Sequence, residues 1–413
     1  MLKRKINTYC NLLEETSTGV HEEVKRHKTG KHVSVHGLEN SVPSLQKGLV
    51  VSSFEGELAL VSDIKVTQSL KDYEVLVKNV FIGLNHVDWK SKKYKFNIYS
   101  FPWINGRESS GVVVKCGAKV DRSMFAPGTE VFLASTSYRD LRTSTFQEYT
   151  VVDSRLAWRV PRTEAGSSAP GSAPGGAPGR QFGLDFAAGI GVGLVTAGCA
   201  LSNLVAFEPE DHGSGGGGAE KLGSLVIWGG SSSVGIFVIQ LARASGKFDK
   251  IVAISSKKNA SYLKELGATH VIDRLQPEER IVEQVSESCP EGVRYGIDMI
   301  SKSTATVLAK LLAENGSGEK RLVCIVGTPD LGSINTASRL VIDAVSIKTF
   351  HENTEFGAGF VRYTSRLFEK GLLKPIGSLK IFKGLDNFGQ GISNGLRELE
   401  EKGASAEKFV VGV

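Results

Sequence analysis

The sequence predicts an α/β protein in which a doubly wound parallel sheet is joined to a β-rich lobe. Three observations predict it. Residues 225–246 read as a buried strand, a tight turn of small residues and a helix. Across 222–347, apolar strand-like runs alternate with helical stretches, the order of a parallel sheet. From 47 to 152, short β-type runs follow one another with turn signals between them. A chain of 413 residues has room for two or three domains with sizeable cores.

Taken in order, residues 1–46 are polar, mixed in charge and aperiodic, and hold His21, His27, His32 and His36. They read as a poorly ordered extension, with a metal site as the alternative. A β-rich domain is expected from 47 to 180, with strands at 57–61, 74–82, 111–115, 130–134 and 146–152 and turns at Gly117, Pro127-Gly128 and Asp140. Residues 162–180 are rich in Ser, Ala, Pro and Gly, and 208–221 carry a second Gly-rich piece; both read as flexible insertions. The parallel-sheet domain is expected over 181–347. It opens with a helix or helix pair at 185–204, with Gly189, Gly191 and Gly193 at its start. Strands follow at 225–228, 250–254, from 270, 296–300 and 321–326, with a helix over 260–266 that Gly267 ends. Residues 348–413 supply a helix around 360–370, a strand at 376–382, a final helix and a strand at 408–413, and this tail is expected to return to the β-rich lobe.

Composition excludes several classes. A hydrophobic fraction of 41% and a charged fraction of 23% suit an ordinary water-soluble protein. A net charge of +6 without a sustained Lys/Arg stripe argues against nucleic acid as a partner. The five cysteines contain no C-x-x-C, which excludes a disulfide framework or a four-cysteine zinc lobe and points to a reducing, cytoplasmic location. No apolar run approaches the ~20 residues of a membrane span. The basic start Met1-Leu-Lys-Arg-Lys5 has no apolar core behind it, and Glu14, Glu15, Glu22 and Glu23 argue against a transit peptide.

The turn Gly229, Gly230, Ser231, Ser232, Ser233, Val234, Gly235 carries the first chemistry. Small residues there let a backbone approach a pyrophosphate, and the first N–H groups of the following helix, with its dipole, face the anion. The spacing departs from G-x-G-x-x-G. After the second strand stand Ser255, Ser256, Lys257, Lys258 and Asn259, with no acid to accept ribose hydroxyls. Hydroxyls, an amide and ammonium groups suit a 2′-phosphate, so the expected cofactor is NADPH rather than NADH.

Five pieces carry a family resemblance: 83–90 (GLNHVDWK), 105–113 (NGRESSGVV), 228–235 (WGGSSSVG), 266–273 (LGATHVID), and the ending 384–387 (GLDN) with 403–408 (GASAEK). In order and spacing they resemble the medium-chain dehydrogenase/reductase superfamily. The likeness is greatest to its zinc-free branch of quinone reductases and fungal trans-acting enoyl reductases, and it runs from about Lys47 onward. The resemblance implies a GroES-like catalytic domain formed by both ends of the chain, a central Rossmann domain, and an active site in the cleft between them. It implies catalytic roles for Asn85, Lys90 and Thr196. It also implies cofactor contacts from Val87, Asp88, Trp89, Lys90, Arg274, Gly327, Thr328, Ala404 and Ser405, beside the turn and the Ser255–Asn259 loop. Each has a plainer alternative: a turn asparagine for Asn85, a helix cap for Asp88, a surface lysine for Lys90, helix packing for Thr196.

The departures matter as much. Zinc members of the superfamily carry Cys in the place of Asn85 and His in the place of Arg107. Asn is a poor zinc ligand and Arg is none. His86 and Glu108 remain without a third ligand at a suitable spacing, so no metal is expected, and Arg107 is expected to pair with Glu108 or a neighbouring acid. The expected function is NADPH-dependent hydride transfer to an activated double bond, quinone or aldehyde. The alternative is an NADPH-binding redox sensor or partner subunit. The expected partner is a small electrophilic substrate, with neither nucleic acid nor membrane, and the expected assembly is a monomer or homodimer.

Overall fold

The structure is a computed structural model, and it describes residues 42–135, 139–161, 181–205, 207, 221–314, 318–334, 339–383 and 388–413. Residues 1–41, both low-complexity insertions (162–180 and 208–220) and the 384–387 piece lie outside the described residues. Strand structure begins at Leu45, two residues before the expected boundary at 47.

Strands β1 (Leu45–Val51), β2 (Leu58–Lys65), β3 (Glu74–Gly83), β4 (Trp103–Ile104), β5 (Glu108–Cys116), β6 (Glu130–Ala134), β7 (Tyr149–Asp153) and β8 (Ala157–Arg159) form the first lobe. β3 is long because apolar residues fill it from Val75 to Ile82, interrupted only by Lys78 and Asn79, and it pairs antiparallel with both β5 and β7. Asn79 is buried and satisfied: its side-chain amide donates to the Gln147 carbonyl and Thr150 Oγ1. Helix α1 (His86–Lys93) leaves the end of β3.

The second unit begins with helix α2 (Gly191–Leu201), nearly all of whose residues are buried. Strands β9 (Gly223–Trp228), β10 (Phe248–Ser255), β11 (His270–Asp273), β12 (Tyr295–Asp298), β13 (Lys320–Cys324) and β14 (Leu340–Ala344) then form a wholly parallel sheet in the order β11-β10-β9-β12-β13-β14. Strand order reverses at β9, so the crevice outside Trp228, Ile254 and Asp298 is where a ligand of such a sheet sits. Helix α3 (Ser233–Ser245) follows β9, and Gly246 ends it in the left-handed region at φ +64°. β12 stops at Asp298, short of the expected Ile300, because Asp298 Oδ1 accepts the N–H groups of Ile300 and Ser301 and turns the chain.

Helix α4 (Thr354–Glu369) starts six residues before the expected one and packs between the two units. Trp158 stacks between Phe132 and Phe350, its indole N–H donates to Thr364 Oγ1, and Phe360 fills the gap left by Gly198. After β15 (Leu379–Phe382) and helix α5 (Phe388–Lys402), β16 (Lys408–Gly412) enters the first lobe between β15 and β3. No helix among the described residues is long and apolar enough to cross a membrane.

Candidate active site

The turn after β9 is shaped by two glycines. Gly229 lies at φ +96°, a conformation that side chains disfavour. A Cβ on Gly235 would lie 2.4 Å from the Gly229 carbonyl oxygen, so helix and turn touch backbone to backbone. Ser232 caps α3, its Oγ accepting the Gly235 N–H at 3.0 Å. Ser255, at the end of β10, is buried with its Oγ unpartnered among the described residues. An unpaired buried hydroxyl beside a phosphate-shaped turn fits a dinucleotide.

Two other segments complete this end. Ser405, from the loop before β16, lies between the turn and the Lys257–Asn259 segment. Its Oγ is 3.1 Å from Ser231 Oγ and accepts from Asn259 Nδ2 at 2.9 Å, while the next residue, Ala406, donates its N–H to the Ser231 carbonyl. Lys257, Lys258 and Arg274 are exposed beside Ser256, with the Arg274 N–H bonded to the Ser255 carbonyl. Ala404 is half-buried against the first lobe, Gly327 packs on the Lys302 backbone, and Thr328 is exposed on the loop after β13.

At the other end, Asn85 ends the run from β3 and begins α1. Its side-chain Nδ2 donates to Glu108 Oε1 at 2.8 Å, and its Oδ1 accepts from Lys408 Nζ at 2.8 Å. Lys408 Nζ also lies 2.5 Å from Glu108 Oε1, with side chains 3% and 0% exposed. The second carboxylate oxygen of Glu108 accepts the Val192 N–H, in the first turn of α2, at 2.7 Å. A carboxylate at a helix N-terminus is favourably placed against the dipole. Lys408 reaches the cluster because Leu84 donates its N–H to the Phe409 carbonyl, locking β16 onto the end of β3. One residue further along α2, Gly193 packs on Ser233, where a Cβ would sit 3.0 Å from the serine carbonyl. One helix therefore touches both the Asn85 cluster and the phosphate-shaped turn.

The remaining expected residues are less central. Asp88 is buried, and its Oδ2 accepts the Asn85 N–H at 2.8 Å, which is the capping alternative. Asn105 Nδ2 donates to the Asp88 carbonyl and Ser91 Oγ, which pins α1 to the lobe. Thr196 Oγ1 donates back to the Val192 carbonyl at 2.7 Å. Val87 and Trp89 are half-buried, Trp89 against the lobe's apolar core, and Lys90 Nζ lies 5.6 Å from the Trp89 ring. His86 remains open to solvent on one side, and loss of hydration, then Lys90 and Lys408, push its pKa down. Arg107 is buried and its charge acts on Asp88, whereas Glu108 is taken by Lys408 and Asn85. Lys408 is the participant that sequence reading missed. Its signal is a lysine opening an otherwise apolar strand, which becomes informative only when a buried acid is known to face it.

Zinc does not fit this donor set. Asn85, a poor zinc ligand, is committed to Glu108 and Lys408, and both oxygens of Glu108 are engaged by an ammonium, an amide and a backbone N–H. Among the described residues no three His, Cys, Asp or Glu side chains gather as a metal site would require.

Burial raises the pKa of Asp88 to about 7, against the opposing pull of Arg107, the Asn85 N–H and Lys408. The folded protein therefore keeps a proton that the unfolded chain has released, from the ordinary carboxylate range up to neutrality. Stability must fall as pH rises through that window. Wild type is expected to lose roughly 2–4 kcal/mol relative to Asp88→Asn between pH 4.5 and 8, at ~1.4 kcal/mol per pKa unit. Urea denaturation of both proteins across that range checks this, and a pH-independent difference would contradict it.

Comparison with known proteins agrees with this architecture. The alcohol dehydrogenase GroES-like domain family matches residues 71–162, and the zinc-binding dehydrogenase family matches residues 233–361. An uncharacterized protein of Saccharomyces cerevisiae is 30% identical over 285 residues, 64% of this chain and 73% of that one. A trans-enoyl reductase of Aspergillus clavatus is 26% identical over 367 residues, covering 83% and 90% of the two chains. Among solved structures, a quinone oxidoreductase of Pseudomonas syringae superposes with a TM-score of 0.64 at 16% identity, covering 89% of this chain and all of that one.

Proposed function

The chain belongs to the medium-chain dehydrogenase/reductase superfamily, and on that premise we propose that it is a zinc-independent, NADPH-dependent reductase of activated double bonds or quinones. The observation that carries the reading is helix α2, which joins the phosphate-shaped turn, through Gly193 and Ser233, to the Asn85–Glu108–Lys408 cluster, through Val192. The trans-enoyl reductase and quinone oxidoreductase likenesses support the reaction class. The absence of an acid after β10, with Lys257, Lys258 and Arg274 exposed there, supports the 2′-phosphate and hence NADPH. The free cysteines Cys116, Cys199, Cys289 and Cys324 support a reducing, cytoplasmic setting. The partner is a small electrophile, and the assembly is a monomer or homodimer.

When bound, the nicotinamide supplies hydride to an electrophilic carbon. This chain's residues position it and meet the charge that develops. Gly229 to Gly235 would hold the pyrophosphate at the start of α3, and Ser255, Ser256 and Asn259 would take the adenosine ribose and its phosphate. Asn85 would offer its carboxamide to the charge that accumulates on the acceptor, with Lys90 as a cation on α1. Without a metal to polarise a plain ketone, acceptors whose own conjugation lowers the barrier are favoured: enones, enoyl thioesters and quinones.

The test uses protein dialysed against a chelator, titrated with NADPH and NADH and then assayed on a panel of these acceptors. NADPH should bind more tightly and be oxidised by at least one class. Asn85→Ala should lower kcat about 10- to 100-fold with the NADPH Kd within about threefold of wild type, and Lys90→Ala should act in the same direction. NADH binding as tightly as NADPH, activity that returns only with added zinc, or simple alcohols oxidised faster than any acceptor is reduced would each overturn a named part of the reading. Cofactor binding with no turnover would replace it with the sensor reading.

A further inference from the structure

The Asn85 carboxamide is held at both ends by opposite charges. Its oxygen accepts from the Lys408 ammonium at 2.8 Å, and one of its N–H bonds goes to the Glu108 carboxylate at 2.8 Å. Turned by 180°, the amide would set its NH2 against an ammonium and its oxygen against a carboxylate, so one orientation alone is compatible with the pair. The second Nδ2–H has no protein partner among the described residues. An ammonium on the amide oxygen draws electron density from the nitrogen and strengthens that remaining donor.

We propose that Lys408 is a positioning residue of the reductase: its buried ammonium, braced by Glu108, locks and polarises the Asn85 carboxamide so that the free N–H is the donor aimed into the cleft. The Lys408 stem is fixed as well as its charge. Its Cγ lies 2.5 Å from the position a Cβ on Gly189 would take, and the side chain is 3% exposed. The ammonium therefore does not reach substrate or cofactor and acts through Asn85. In place of the polarising metal that the donor set rejects, the site carries a cation tethered to its own backbone. A buried ion pair adds little net stability against an apolar pair of equal volume, which fits a pair retained for orientation.

This inference deepens the reductase reading and rests on it in one arm of the test. The variants are Lys408→Met, which keeps the stem and removes the charge, and Glu108→Gln/Lys408→Met, which removes both charges and guards against misfolding. In protein labelled with 15N at asparagine, the Asn85 side-chain NH2 signals are identified by their loss in Asn85→Ala. In wild type they should be well dispersed and slow to exchange with water; in both variants they should collapse toward free-amide positions. In the kinetic arm both variants should lose about 10- to 100-fold in kcat, with KM and the NADPH Kd within about threefold of wild type. If the double variant folds and keeps both the wild-type Asn85 signals and turnover within twofold, Lys408 does not position Asn85. If the signals collapse but kcat is unchanged, the lock exists without the catalytic consequence and the proposal also falls. If wild type reduces nothing on the panel, the reductase reading fails by itself, and the NMR arm still decides whether the lock exists.

Discussion

Gly235→Ala is expected to abolish NADPH binding, raising Kd by at least about 100-fold. The added methyl would sit 2.4 Å from the Gly229 oxygen and 2.9 Å from both Cα and the carbonyl carbon of Gly230, all of them backbone atoms that no rotamer change can move aside. The turn must open, and opening it displaces the N–H groups at the start of α3 that a pyrophosphate would use. The change also costs about 1–3 kcal/mol of stability, the usual range for forcing an atom into a close-packed contact. Gly246→Ala separates strain from site geometry. That glycine has φ +64° with nothing within 4 Å of its would-be Cβ, so alanine there strains the backbone, at about 1 kcal/mol, and leaves cofactor binding intact. Fluorescence titration of the two variants gives the contrast; equal affinities would show that the turn is not the phosphate cradle.

The largest stability effect is expected from Glu108→Ala. Removing this carboxylate leaves the Lys408 ammonium 3% exposed with only the Asn85 oxygen beside it, and takes the acceptor from the Val192 N–H. Breaking one side of a buried pair typically costs about 3–5 kcal/mol, because the surviving charge stays uncompensated. Lys408→Met in the Glu108→Ala background should recover most of that loss, although it removes a further native contact. Urea denaturation of the two variants beside wild type reads this directly. A single variant within about 1 kcal/mol of wild type would mean that water or a neighbouring group satisfies Lys408.

The parallel sheet was legible because its strands announce themselves. Leu225 to Trp228 and Ile251 to Ile254 are buried on both faces and read as unbroken apolar runs. β14 escaped notice because its residues are only half-buried, so its pattern carries no contrast. The helix cap weighed as the plainer alternative for Asp88 is what its contact to the Asn85 N–H supplies. The Asn85–Glu108–Lys408 cluster was half-legible. Asn85 and Glu108 sit in recognisable pieces, but Lys408 is 323 positions from Asn85, and only the pairing of β16 with β3 brings them together. No local pattern encodes a contact of that span. Of the two partners expected for Arg107, Glu108 or a neighbouring acid, its charge acts on the neighbouring acid Asp88, while Glu108 pairs with a lysine from a distant strand.

The place of β16 also fixes an order of events during synthesis. Lys408–Gly412 is an interior strand of the first lobe's sheet, between β15 and β3, yet it leaves the ribosome long after β3. The nucleotide-binding sheet, complete by Ala344, can form while the first lobe still waits with the Phe81–Gly83 edge unpaired and Glu108 without its cation. A frameshift or stop codon shortly before residue 408 would therefore spare the parallel-sheet fold and remove the cation from the Asn85–Glu108 cluster, leaving an exposed strand edge as the route to aggregation.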